Sequence, residues 1–284
     1  MKYLKLLRIK HYLKNTLLFI PLFTSINLFD VQLLTESIKG FFALCLTTSI
    51  VYIINDIKDV EYDKMHPIKC KRVLASGEIT KKSAKNIAFL LSVLLLGLSL
   101  MINYKYALIY LVVYLGINVL YSYILKEQPI LEVFIIAFGF ILRVLFGSAV
   151  INVETSSWLY LTIMSFSLFM AFGKRRNELF EQNNEFTDNT RKVLQSYTYQ
   201  FLDKIMYVVL TMGFVFYSLW CAMFNSSYLL MSILFVLYIA FKYLLNIEDT
   251  NSSGDPVDII YNDKNILYIG IIFVIYMTFS IYVL

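Results

Sequence analysis

Apolar segments of membrane-spanning length are the feature of this sequence that most constrains its fold. Of the 284 residues, 59% are hydrophobic and 16% are charged, whereas a soluble domain carries about 25% charged residues. Much of the surface must therefore contact lipid. Because hydrocarbon cannot satisfy exposed backbone groups, the segments should be helices. We identify nine, at residues 16–34, 38–54, 83–102, 106–124, 130–150, 158–172, 201–223, 227–245 and 265–284.

The positions of the basic residues orient these segments in the membrane. Among 25 Lys and Arg residues, only Lys39 and Lys105 fall in loops on one side, Arg143 lies within a span, and the others lie on the opposite side. The positive-inside rule then places the N-terminus in the cytoplasm and the C-terminus outside. The long loops, near 55–82, 173–200 and 246–264, are also cytoplasmic. We predict an all-α polytopic bundle that forms a single integral-membrane domain over residues 1–284.

A carboxylate cluster ends the second predicted span. On a helix, Asp56, Asp59 and Asp63 share one face and Asn55 lies beside it. Three converging carboxylates repel one another, and a divalent cation relieves that repulsion. Hard oxygen ligands suit Mg²⁺, which carboxylates and substrate phosphates often hold jointly. The alternative is a solvated acidic helix end balanced by neighbouring lysines, but the position between a span and a basic loop favours a metal site.

Two basic clusters follow cytoplasmic ends of predicted spans. Lys69 and Arg72 lie just after the carboxylates, and Lys174 and Arg175 follow the sixth span. Cations beside a carboxylate-bound metal form a binding site for phosphate or pyrophosphate. The alternative is that these residues only set topology and contact anionic lipid.

Further polar residues occur in less common positions. Arg143 lies inside the fifth span, so it should face the bundle interior, paired with a carboxylate such as Glu132 or with an anionic substrate. The segment 254–258, with nearby acidic residues that include Asp249, is either an acidic lid or a surface loop. Lys14 begins the first span and by itself is typical of a snorkelling anchor.

The motif Asn-Asp-x-x-Asp-x-x-x-Asp at 55–63 resembles that of the UbiA superfamily of intramembrane prenyltransferases. Many members carry a second Asp-rich motif after the sixth span, where this chain has Gly-Lys-Arg-Arg-Asn-Glu-Leu at 173–179. That departure resembles the decaprenyl-phosphate phosphoribosyltransferase branch. Other matches to the branch are Lys14-Asn15, Pro21-Leu22-Phe23, His66-Pro67, Ala75-Ser76-Gly77, Tyr121-Ser122, Leu125-Lys126 and Arg143 with Gly147. The chain departs from the family's Arg-Pro pairs at Arg8-Ile9 and Arg72-Val73.

The resemblance implies Mg²⁺-dependent transfer of 5-phosphoribosyl from phosphoribosyl pyrophosphate to a polyprenyl phosphate lipid, for cell-wall or surface glycan precursors. It implies a UbiA-like bundle in a bacterial plasma membrane, with the site on the cytoplasmic face. The catalytic residues would be Asp56, Asp59 and Asp63, which would bind the metal together with Asn55. The donor's phosphates would be held by Lys69, Arg72, Lys174 and Arg175, and the acceptor would be steered by Lys14, Lys126 and Arg143. No nucleic-acid partner is expected, and an oligomer is left open.

Two other functions fit parts of the pattern. A prenyltransferase would use the carboxylates to bind a prenyl diphosphate and would move the prenyl group to an aromatic acceptor. The missing second Asp-rich motif weighs against it, because two metal clusters normally flank that diphosphate. A transporter or lipid flippase fits many helices and a buried Arg143, but alternating access places its site near the midplane rather than at one face.

Overall fold

The computed structural model describes residues 2–65, 69–184, 192–248 and 254–283. In these ranges the regular secondary structure is helical, without strands, as the all-α prediction requires. The α-helices are α1 (Lys2–Leu6), α2 (Ile20–Thr24), α3 (Val31–Met65), α4 (Lys81–Leu100), α5 (Leu108–Tyr123), α6 (Leu131–Ile151), α7 (Ser157–Asn184), α8 (Tyr199–Ala222), α9 (Ser227–Met231), α10 (Ile233–Glu248), α11 (Pro256–Asn262) and α12 (Lys264–Tyr282). Short 3-10 helices cover Ile9–Phe19, Lys69–Lys71, Lys105–Ala107, Leu125–Glu127 and Lys192–Ser196.

Seven helical stretches among the described residues are long and apolar enough to cross a membrane. They are Val31–Met65, Lys81–Leu100, Lys105–Tyr123, Leu131–Ile151, Tyr199–Ala222, Ser227–Glu248 and Lys264–Tyr282. Each covers most of one predicted span, and Val31–Met65 also includes the last four residues of the first predicted span. The rest of the first span and the whole sixth span lie outside the seven stretches. The protein is therefore an integral membrane protein, whereas the count of nine spans and the cytoplasmic N-terminus stay predictions.

The first predicted span, 16–34, is not one continuous helix. The 3-10 helix Ile9–Phe19 runs into α2, which ends at Thr24, and α3 begins only at Val31. Asp30 starts the new helix, because its carboxylate accepts hydrogen bonds from the backbone N–H groups of Gln32 and Leu33 at 2.9 and 3.0 Å. Hydropathy averages over this cap and over the preceding break, so it could not separate the two helices.

The sixth predicted span, 158–172, forms the first half of α7. This helix continues without a break through the basic cluster and ends at Asn184. Four Ser and Thr side chains, at positions 157, 162, 165 and 167, lie among the apolar ones in its first half, which lowers its hydropathy below that of the seven stretches. The basic cluster is therefore helical rather than part of a loop.

The chain forms two compact units. The first comprises Met1–Leu22, Asn27–Lys126 and Leu142–Val153, and the second comprises Phe23–Ile26, Glu127–Ile141 and Glu154–Leu284. Helix α6 is divided between them. The prediction of a single domain over the whole chain stays a prediction.

The first unit is built around the long helix α3, which packs against α4, α5 and the 3-10 helix Ile9–Phe19. Its core includes Leu18, Leu44 and Phe146, all fully buried. At Gly147 the backbone of α6 comes so close to that 3-10 helix that a Cβ atom would lie 2.1 Å from the Leu18 carbonyl oxygen. Only glycine fits such an approach without a backbone shift.

The second unit is built on the α7–α8 pair, against which α10 packs. Its core includes Phe172, Leu202 and Met206. Helix α11 begins at Pro256, and the Asp255 side chain caps it by accepting from the Val257 N–H at 3.0 Å. Residues 254–258, interpreted from sequence as a lid or a surface loop, therefore include the first turn of a short helix, while Asp249 lies outside the described residues.

Candidate metal and phosphate site

The predicted carboxylate cluster lies on the last turns of α3. Successive residues of an α-helix are rotated by about 100°, so Asp56 and Asp63 point in nearly the same direction, and Asn55 and Asp59 point to an adjacent side. The two pairs differ in exposure, because Asp56 and Asp63 are buried at 4% and 5% and the other two are half-buried. The cluster therefore has two faces. The helical spacing predicts one face shared by Asp56, Asp59 and Asp63, but Asp59 lies with Asn55 instead.

Two arginines hold the Asp56 and Asp63 face. The Arg72 guanidinium donates to the Asp63 carboxylate at 2.7 Å and lies 3.4 Å from that of Asp56. Arg8 donates to the same Asp56 oxygen at 2.5 Å. The loop containing Lys69 and Arg72 thus turns back onto the carboxylates, while the role of Arg72 in holding a phosphate stays a prediction. The half-buried Lys69 begins the 3-10 helix before it.

Arg8 is a site residue that the sequence analysis did not select. It lies in the basic N-terminal segment, whose charge predicts a cytoplasmic N-terminus, and 48 positions separate it from its carboxylate partner. Its backbone is left-handed, with φ 53°, which is uncommon outside glycine. Its guanidinium lies 4.7 Å from the Tyr52 ring centroid. Because these contacts are long-range, no local spacing pattern predicts them.

The Asn55 and Asp59 face contacts the C-terminal end of α5. Lys126 donates to the Asp59 carboxylate at 2.8 Å, and Ser122 contacts the Asn55 side-chain amide. Lys58 donates to the Ser122 carbonyl oxygen and lies 4.0 Å from the ring centroid of Tyr123. The predicted residue Lys126 therefore belongs to the carboxylate cluster itself.

The cluster can be assessed as a metal site from its donor set. Three carboxylates and one amide are the hard oxygen donors that Mg²⁺ prefers. Within the described ranges, no three His, Cys, Asp or Glu side chains are arranged to hold a metal ion directly. Instead Arg8, Arg72 and Lys126 balance the charges of the three carboxylates. The donor atoms are of the kind that bind a divalent cation. In this structure the positive charge that balances the carboxylates comes from Arg8, Arg72 and Lys126.

Arg143 and Asn15 form a buried polar contact in the same unit. Arg143 is 5% exposed and donates to the Asn15 side-chain oxygen at 3.0 Å and to the Tyr114 hydroxyl at 2.8 Å. The Asn15 amide donates to the Thr48 hydroxyl at 3.1 Å. Asn15 follows the half-buried Lys14 on the 3-10 helix. This network therefore fixes the helix that carries Lys14.

Glu132, considered from sequence as a partner for Arg143, pairs instead with Arg175. Their side chains lie 2.7 Å apart in the second unit, exposed by 0% and 2%. Arg143 is about three helical turns further along α6, too far for an ion pair with Glu132. Glu178 also pairs with Arg175.

The other cations of the 174–176 cluster have separate partners in the second unit. Lys174 donates to Asp255 at 2.8 Å, and Arg176 donates to Asp203 at 2.5 Å. Lys174 is the most exposed of the three cations, at 33% for its side chain. It is therefore better placed than the buried Arg175 to reach a ligand. His66 and Pro67, which also supported the resemblance, lie outside the described residues.

The membrane-spanning helices and the cluster of charged side chains at the end of α3 define the class of this protein. It is a polytopic helical membrane protein with a charged site at a helix end. A model of the UbiA prenyltransferase family matches residues 26–257. The chain belongs to the UbiA prenyltransferase family.

Relatives and solved structures agree with this assignment. A decaprenyl-phosphate phosphoribosyltransferase of Mycolicibacterium smegmatis is 34% identical over 79% of this chain and 74% of its own length. Another of that name, from Corynebacterium glutamicum, is 28% identical over 99% of this chain and 87% of its own length. A solved UbiA homologue from Archaeoglobus fulgidus bound to GPP and Mg²⁺ has a TM-score of 0.72 at 16% identity, and the match covers all of both chains. The resemblance inferred from the motifs is thereby confirmed.

Proposed function

We propose that this protein transfers a 5-phosphoribosyl group from phosphoribosyl pyrophosphate to a polyprenyl phosphate and releases pyrophosphate. The observation that carries the proposal is the 34% identity to a decaprenyl-phosphate phosphoribosyltransferase across most of both chains. The basic side chains around the carboxylates support it, since a donor with three phosphate groups needs both a metal ion and cations.

The donor would bind at the end of α3. Asn55, Asp56, Asp59 and Asp63 would hold Mg²⁺, which when bound neutralises charge on the pyrophosphate. Arg8 and Arg72 already contact the carboxylates, so they are placed to donate to phosphate oxygens beside the ion. Lys69, at the start of the same loop, is a further candidate for this role.

The reaction needs no strong general base. An anionic phosphate oxygen of the acceptor forms a bond to C1 of the ribose from the face opposite the pyrophosphate. The bond between C1 and the pyrophosphate oxygen breaks, and its electron pair leaves with pyrophosphate. The protein then contributes mainly positioning and electrostatic stabilisation. We assign Lys14 and Lys126 to the acceptor phosphate, with Arg143 acting through Asn15 to orient Lys14.

The charge distribution supports a cellular setting for this reaction. By the positive-inside rule, the basic loops favour a donor site on the cytoplasmic face of a bacterial plasma membrane, where a soluble phosphorylated donor is available. The lipid acceptor would enter from the bilayer. The product would be a precursor of cell-wall or surface glycans.

A label-transfer experiment tests the proposed function. The purified protein is incubated with Mg²⁺, ribose-labelled phosphoribosyl pyrophosphate and a polyprenyl phosphate, and the lipid fraction is analysed by mass. We expect the ribose label in the lipid, with one pyrophosphate released per lipid product. If a prenyl diphosphate with an aromatic acceptor instead gives a prenylated aromatic, and ribose never enters the lipid, the protein is a prenyltransferase and the proposal is wrong.

The contribution of Lys174 is tested separately. Lys174→Met is expected to raise KM for phosphoribosyl pyrophosphate about 10-fold, the loss of one charge-assisted phosphate contact. Lys242→Met is a matched control, because Lys242 also lies in the second unit, is similarly exposed and contacts an aspartate, Asp263, at 3.5 Å. Steady-state kinetics of both variants decide the role. Equal KM values for the two variants would remove Lys174 from the donor site.

A further inference from the structure

The Ser122 hydroxyl faces two acceptor oxygens, but it has only one proton to donate. Ser122 is buried, 3% exposed, near the C-terminal end of α5. Its hydroxyl donates to the Asn118 carbonyl oxygen one turn earlier at 2.7 Å, and it also faces a second acceptor, the side-chain oxygen Oδ1 of Asn55. A serine hydroxyl has one proton, so it can donate to one of these acceptors only.

The Asn55 amide resolves this conflict when its Nδ2 group faces Ser122. The hydroxyl then gives its proton to Asn118 and accepts a hydrogen bond from Asn55, so every group has a compatible partner. The oxygen and nitrogen of an asparagine amide have the same shape, and the hydrogen-bond network decides between the two orientations. The structure has Oδ1 facing Ser122, and a turn of the amide by about 180° brings Nδ2 there instead and directs the Asn55 oxygen away from Ser122.

Neighbouring contacts one turn after Asn55 tie α3 to the segment that carries Ser122. Lys58, one turn further along α3, donates to the Ser122 backbone oxygen and lies over the Tyr123 ring. Asp59, also one turn from Asn55, is paired with Lys126 at 2.8 Å. The end of α5 and the 3-10 helix after it are therefore tied to α3 at Asn55, Lys58 and Asp59. A side chain fixed in this way presents its oxygen in one direction.

We propose that Ser122 is a positioning residue that orients the Asn55 side-chain oxygen as a ligand for the divalent cation. This inference rests on one part of the proposed function, the binding of a metal–pyrophosphate complex at this site. An amide oxygen adds a ligand without adding charge, which suits a cluster that already holds three carboxylates. Without the Ser122 hydroxyl the amide can rotate, and either end can face the ion. Loss of such a supporting contact typically weakens metal binding by about 10–100-fold.

Metal-dependent binding of pyrophosphate tests this role without turnover. Radiolabelled inorganic pyrophosphate retained by the purified protein is measured across a Mn²⁺ titration. Ser122→Ala is expected to raise the half-saturating Mn²⁺ concentration about 10-fold. Ser122→Thr keeps the hydroxyl and is expected to match the wild type. Ser92→Ala is the control, because the Ser92 hydroxyl makes the same backbone contact one turn back, to Ala88 at 2.8 Å, on another helix of the first unit.

The outcomes separate this inference from the proposed function. A wild-type titration for Ser122→Ala would overturn it, and so would an equal weakening in Ser122→Thr or in Ser92→Ala, since either would reflect packing. Failure of the wild-type protein to retain pyrophosphate with Mn²⁺ would also overturn it. If the Ser122 series behaves as expected while no ribose label enters lipid, the phosphoribosyl assignment is wrong and the role of Ser122 stands.

Discussion

Asp59→Asn is expected to lower kcat/KM for phosphoribosyl transfer by about 10³-fold, because it removes a charged ligand from the place where pyrophosphate charge develops. The substitution keeps the shape of the side chain but removes the charge that Lys126 contacts at 2.8 Å. The rate loss should persist at saturating donor, since the lost interaction acts on the leaving group. Initial rates at several Mg²⁺ concentrations measure the effect.

A second carboxylate on the same helix supplies the control for Asp59. Glu61 lies two residues further along α3, is 63% exposed and pairs with Lys64 and Lys81. Glu61→Gln makes the same charge change on the same helix, and we expect a rate near that of the wild type, since exposed pairs contribute about 0–1 kcal/mol. Wild-type transfer by Asp59→Asn would show that the metal assignment is wrong, and equal losses in both variants would indicate a general charge effect.

Gly147→Ala is expected to destabilise the first unit by about 3 kcal/mol, the upper range for overpacking a close contact. The new Cβ would lie 2.1 Å from the carbonyl oxygen of Leu18 and 2.9 Å from its carbonyl carbon. Both are backbone atoms, so no side-chain rotation relieves the clash and the 3-10 helix Ile9–Phe19 must move. The unfolding temperature in detergent should fall, and activity should fall with it because Lys14 lies on that helix.

Gly116→Ala is the matched control for this close approach. Gly116 also lies in a helix of the first unit, but no atom comes within 4 Å of a Cβ built there. Alanine is intrinsically favoured over glycine in helices by about 1 kcal/mol, so the control should unfold at the same temperature or slightly higher. Equal unfolding temperatures for Gly147→Ala and the wild type would contradict the close packing of α6 on Leu18.

The sequence was sufficient where the relevant contacts are local. Asp56, Asp59 and Asp63 follow a helical spacing, so their place at the end of α3 could be predicted from the motif alone, although Asp59 lies on a different side of the helix from the other two. Apolar segment length likewise predicted the helical membrane fold. The break before Asp30 was missed because an average over apolar residues does not detect a helix cap.

Long-range contacts explain what the sequence could not predict. Arg8 reaches Asp56 across 48 positions, and no spacing rule links the two residues. Lys174, Arg175 and Arg176 are adjacent in sequence and looked like one phosphate-binding group. Each step along α7 rotates the side chain by about 100°, so the three cations contact different carboxylates in the second unit. Adjacent positions on a helix therefore do not form one cluster.

The three ion pairs of the carboxylate cluster, Asp56 with Arg8, Asp63 with Arg72 and Asp59 with Lys126, have a consequence for the order of ligand binding. Three acidic side chains paired with three basic ones leave no net charge, so a bare divalent cation gains little attraction there and would displace the arginines. Pyrophosphate supplies the missing negative charge and accepts those arginines. Donor and metal are then thermodynamically linked, each raising the affinity for the other. The protein would thus take up its ion together with the substrate and leave the free ion pool largely untouched.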